Sequence, residues 1–143
     1  MTSVVVDFEE PVEGVTESDV VRAVQCVLEA EGAFRVLEVV VVSDRAIHEL
    51  NRRWLGHDRP TDVVAFDLRD DFEGPDGEIY VSADTARREA LQRGVMVAAE
   101  LLLYCVHGAL HLLGYDDHDP ADRDRMHRRQ AEIMRDLGYE IGS

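Results

Sequence analysis

Apolar positions along this chain follow two rhythms, and the alternation between them predicts the order of elements. Residues 3–9 (SVVVDFE) form a short β-branched run and read as a strand. From Thr16, the apolar residues Val20, Val21, Val24 and Leu28 recur at helical spacing and stop at Gly32. That stretch is an amphipathic helix with signals at both ends. Residues 35–43 (RVLEVVVVS) return to strand character, and Ser43 then caps a helix over 44–56. Residues 60–68 (PTDVVAFDL) and 77–83 (GEIYVSA) are two further strands, with turn chemistry between them. Three helical stretches follow, over 84–94, 95–114 and 120–138; the last has Asp119 as N-cap, Pro120 at its first position and Gly138 as its stop. The pattern predicts an α+β fold: a small mixed four-stranded sheet covered by about five helices. No repeat, low-complexity tract or linker interrupts it, so one domain spanning 1–143 is expected.

Charge changes that picture in one respect. Thirty acidic residues face fifteen basic ones, all of them arginine, for a net charge of −15. Such a surface opposes sequence-blind binding to nucleic acid. It fits a host with high internal salt, where self-repulsion is screened; a GC-rich genome accounts for the arginine usage but less well for the acid excess. The acidic N-terminus lacks the basic region of a signal peptide, and Glu100 breaks the longest apolar run, so no membrane segment is expected. Cys26 and Cys105 form no metal or redox motif. They read as core thiols, and the cytoplasm is the expected compartment.

The chemistry concentrates in YCVHGALHLLGYDDHDP, residues 104–120. His107 and His111 share one helix face, with Cβ atoms roughly 5–6 Å apart. Two imidazoles so placed can reach one ion at about 2.0–2.1 Å. Gly114 ends the helix and lets the chain double back, returning a third ligand from Asp117 or His118. Three ligands with one open position is the pattern of catalytic zinc. Gly108 occupies the place that holds the general-base glutamate in H-E-x-x-H peptidases, which counts against peptide hydrolysis. Gly108 also weakens the helix and points to a close approach there. Glu100, two turns before His107, is a candidate to orient a ligand histidine.

VHGALHLLGYDDHD resembles the H-G-x-L-H-L-x-G-Y-D-H signature of the YbeY family of rRNA-maturation endoribonucleases. ELNRRWLGHDRPTDVVAFD, GEIYVSADTARREA and RMHRRQAEIMRDLGY are similar to three further family segments, in the right order. The resemblance implies a small α+β fold and one zinc ion held by three histidines. It also implies a role in maturing the 3′ end of small-subunit ribosomal RNA and in ribosome quality control. His107 and His111 match the first two ligands. The ungapped register puts Asp117 in the third place, and a one-residue insertion would restore His118. The family's arginine, which follows an aromatic residue, is replaced: the pair here reads Trp54-Leu55.

The implied reaction is zinc-assisted phosphodiester hydrolysis of single-stranded RNA. Asp116, or whichever of Asp117 and His118 is not bound, moves the proton, and Arg52 or Arg59 (with Arg53 also near) stabilises the charged phosphorus centre. Basic proteins of the small ribosomal subunit are the partners expected for the acidic face. Two other readings stand beside it: an assembly factor with a zinc site but little nuclease activity, and a zinc hydrolase of another substrate. Trp54 is expected to pack on the sheet, with base stacking as the alternative.

Overall fold

The computed structural model describes residues 3–56, 61–70 and 73–139. Its elements, in order, are β1 (Ser3–Phe8), α1 (Glu17–Ala30), β2 (Val36–Val42), α2 (Asp44–Leu55), β3 (Val63–Asp67), β4 (Gly77–Ser82), α3 (Ala83–Arg93), α4 (Val97–Leu112) and α5 (Pro120–Asp136). The α+β architecture is the expected one. Side-chain caps set most of the helix starts. The Thr16 hydroxyl accepts from the Asp19 N–H while the Asp19 carboxylate accepts from the Thr16 N–H. Ser43, Ser82 and Asp119 each accept from the N–H three residues on, opening α2, α3 and α5.

The sheet order is β1-β2-β4-β3. β1, β2 and β4 run parallel, and β3 pairs antiparallel on the outer edge of β4. The larger core lies between one sheet face and helices α1, α4 and α5, around Leu37, Val39, Ile79, Leu101, Leu110 and Met126. On the other face, Ile47 of α2 packs with Val40, Val42 and Val64. α4 is the central helix, in contact with α1, α3, α5, β3 and β4. Its tight seat on the sheet is what positions the site. A Cβ on Gly108 would stand 2.7 Å from a methyl of Ile79 and 3.1 Å from one of Val63. The close approach read from Gly108 is therefore that of α4 to β3 and β4, with no room for even one carbon. Gly77 makes the same allowance one turn on, where a Cβ would meet Leu112 at 2.8 Å.

Trp54 departs from expectation: it is 64% exposed and does not pack on the sheet. Its face of α2 meets solvent, with the Arg53 guanidinium 5.9 Å from the ring centre. Cys26 and Cys105 are free thiols, Cys105 buried. No helix among the described residues is long and apolar enough to cross a membrane.

Candidate metal centre

Seated on β3 and β4 through Gly108, α4 turns His107 and His111 outward together. Their ring centres are 4.6 Å apart and their planes lie at 76°. The helix stops at Gly114, whose φ of 99° is a conformation that glycine adopts without strain. The Tyr115 N–H closes back on the Leu110 carbonyl at 3.0 Å. Asp116 then folds the next residues: its Oδ1 accepts the N–H of Asp117 at 2.7 Å and of His118 at 3.1 Å. This is the local turn that aspartate favours, because its short side chain reaches its own neighbouring amides. The turn delivers the Asp117 carboxylate to the histidines. Oδ2 lies 3.9 Å from His107 Nε2 and 3.7 Å from His111 Nε2.

These three atoms suit one ion. Ligands held about 2.0–2.2 Å from a tetrahedral zinc stand roughly 3.4 Å from one another, within a few tenths of an ångström of the distances here. One ligand atom from each of His107, His111 and Asp117 falls within a 4.8 Å set. His118 points elsewhere: its side chain is 87% exposed and its Nε2 is 3.4 Å from Asp116 Oδ1. A second set, of Asp116, Asp117 and His118, also falls within 4.8 Å but contains neither His107 nor His111.

The far side of His107 is equally organised. Its Nδ1 meets the Oε1 of Gln130 at 2.5 Å, and Gln130 on α5 is buried. An amide oxygen only accepts, so Nδ1 carries the proton, and Nε2 keeps its lone pair toward Asp117. Burial also disfavours the imidazolium and holds the His107 pKa below its ordinary value. A neutral imidazole with a free Nε2 is what a cation requires.

Glu100 does not reach His107. It is buried, accepts from the Tyr104 hydroxyl at 2.9 Å and faces Arg93 at 3.5 Å. Burial and this carboxylate push the Tyr104 phenol upward in pKa, so it stays a donor. The residue that orients His107 is Gln130, which the sequence reading missed. A signal for it existed: Met126, Gln130, Ile133 and Met134 form the buried stripe of α5, and Gln130 is its one polar member.

Among the other candidates, Arg52 bonds Glu49 on its own helix at 2.7 and 2.9 Å. Arg59 lies outside the described residues. Leu55, in the place of the family arginine, is 47% exposed at the end of α2.

The profile of the family described as Endoribonuclease YbeY matches residues 7–138. A Desulfitobacterium hafniense protein named Endoribonuclease YbeY is 38% identical over 135 residues, covering 87% of this chain and 85% of that one. An Anaeromyxobacter protein of the same name is 47% identical over 104 residues, covering 71% of this chain and 54% of its own length. The solution structure of a Thermotoga maritima protein is similar at a TM-score of 0.64 and 28% identity, over 94% of this chain and 88% of that one.

Proposed function

The chain belongs to the YbeY family, and we propose that it is a zinc-dependent endoribonuclease acting on single-stranded RNA. Its task in this reading is maturation of the 3′ end of small-subunit rRNA and ribosome quality control, carried out in the cytoplasm by a single domain spanning 1–143. One observation carries the reading beyond family membership: the convergence of His107 Nε2, His111 Nε2 and Asp117 Oδ2 at a surface open to solvent. In this reading those three side chains hold the zinc and leave a position free. When bound there, zinc supplies an acidified water and a Lewis acid for the phosphoryl oxygen.

The chain's own residues supply the rest. Gln130 fixes the His107 tautomer. Asp116 shapes the turn that carries Asp117 and sits against the exposed His118. That leaves the Asp116–His118 pair to take up the proton of the attacking water. Arg52 and Arg59 remain the arginines proposed to face the phosphate. Docking on basic proteins of the small subunit uses the acidic remainder of the surface.

Leu55 favours one second reading, an assembly factor that binds zinc but cuts RNA poorly. The test begins with metal content on protein purified without a metal-binding tag. About one zinc per chain is expected, absent from the His107→Ala/His111→Ala variant. Unstructured RNA should then be cut by the zinc protein and spared in chelator. One zinc per chain with no cleavage, together with co-sedimentation with small subunits, would replace the nuclease by the assembly factor.

A further inference from the structure

Beside His107 runs a groove of about 880 Å³, walled by α3 and α5 and floored by α4. Four arginines line it, Arg88 and Arg93 from α3 and Arg128 and Arg135 from α5. Three carboxylates, Asp62, Glu89 and Glu100, share the lining, so what the groove offers an anion depends on which arginines are already engaged. The two walls are not equivalent. Arg88 is spent on Asp44 at 2.6 Å, and Arg93 faces Glu100 at 3.5 Å and Glu89 at 3.9 Å. On the α5 wall, neither Arg128 nor Arg135 has a hydrogen-bond or ion-pair partner among the described residues. Both are exposed.

Helical geometry explains why they face the groove. The buried stripe of α5 passes through Met126, Gln130, Ile133 and Met134. Arg128, Ala131 and Arg135 follow at i, i+3 and i+7 and form the stripe beside it. Gln130 bonds His107 between the two arginines in sequence, so the groove and the metal centre are registered to each other. Seven residues separate the guanidiniums' positions, about 10.5 Å along the axis. That spacing lets them address two phosphates of one strand. Leu103 of α4 and Ala131 give the groove an apolar lining between the charges.

We propose that this groove is the track for the RNA strand, with Arg128 and Arg135 holding two backbone phosphates of the segment that leads away from the metal centre. The identity of the polyanion rests on the nuclease reading; the location of the binding does not. Free guanidinium donors suit phosphate oxygens in a forked geometry, and confinement to one groove reconciles phosphate binding with an acidic molecule. Arg128 and Arg135 are positioning residues here: they hold the strand and touch no reacting atom.

The test is equilibrium binding of a labelled 2′-O-methyl oligouridylate to the zinc-loaded full chain, by fluorescence anisotropy across a salt series. Arg128→Ala/Arg135→Ala should weaken binding about tenfold at low salt. It should also reduce the slope of log K against log salt by about 1.4, since each phosphate contact on a single strand contributes about 0.7. Arg35→Ala/Arg45→Ala removes the same charge from residues that do not line the groove, and its slope should match the parent's. Equal losses in both variants would mean that net charge acts without a track, and the inference falls. Undiminished binding in the α5 variant also overturns it, while leaving cleavage by the parent intact. Groove-dependent binding by a chain that never cuts RNA keeps the track and removes the nuclease.

Discussion

At the scale of single residues, the centre is held by groups that are not themselves ligands. Gln130→Ala removes the oxygen that fixes Nδ1–H of His107. Loss of such an outer partner lowers metal affinity 10–100-fold in general, and a competing chelator dye should report a fall of that order. Gln130→Glu retains an acceptor and should retain most of the affinity; equal weakening by both would show that Gln130 acts only in packing. Asp117→Ala should lose more zinc than His118→Ala, because only Asp117 Oδ2 faces both Nε2 atoms. The opposite order would assign the third ligand to His118. Gly108→Ala sets helix propensity, worth about 1 kcal/mol in alanine's favour, against overpacking of about 1–3 kcal/mol. With the methyls of Ile79 and Val63 at 2.7 and 3.1 Å, overpacking wins, and the thermal midpoint should fall. An unchanged midpoint would mean that Ile79 yields by changing rotamer.

Elements were the most legible scale, because their ends are written in local chemistry. Thr16, Ser43 and Asp119 mark helix starts in the sequence and cap them in the fold. His107 and His111 were legible as a pair for the same reason, since four residues on one helix fix their geometry. What the sequence concealed depends on contacts distant along the chain. Gln130 stands 23 residues from His107. Glu100 is a different case: its partners are near in sequence, Tyr104 four residues on and Arg93 seven back, and helical spacing offered Tyr104 as readily as His107. Trp54 was misread because a hydrophobic helix residue is buried only when another element covers it. The junction of α2 and α3 is a further long-range feature. Asp44, the first residue of α2, accepts from Ser82 at 2.6 Å, Thr85 at 2.8 Å and Arg88 at 2.6 Å. Burial pushes the Asp44 carboxyl up, but the hydrogen bonds of Ser82, Arg88 and Thr85 outweigh it and hold the pKa below its ordinary value. A carboxyl depressed in the folded state stabilises the fold above about pH 4, its unfolded value. That contribution is lost as the pH falls through the folded value. Asp44→Asn should therefore unfold more easily at pH 7, by about 2 kcal/mol, with the gap to the parent narrowing below about pH 4 and closing only beneath the depressed folded value. A constant gap across the titration would mean that shape, and not charge, ties the two helices.

Over the whole molecule, charge sets two opposing responses to salt. The net charge of −15 is spread over 143 residues, so many carboxylates lie closer together than the Debye length of about 10 Å at 0.1 M salt. Their mutual repulsion disfavours the compact state, and at 1 M the screening length shrinks to about 3 Å. Screening also weakens attractive pairs such as Arg129–Glu31 at 2.7 Å and Arg88–Asp44 at 2.6 Å, but thirty acids against fifteen bases leave repulsion as the larger quantity relieved. Potassium chloride should therefore raise the thermal midpoint steadily, whereas a chain of balanced charge would change little. The strand track responds the other way, since its phosphate contacts weaken as salt rises. Measured on one preparation, unfolding and RNA binding should move in opposite directions with potassium chloride. A midpoint that stays flat from low salt to 1 M would remove self-repulsion as the meaning of the acidic surface. Arginine without lysine would then reflect the coding sequence alone.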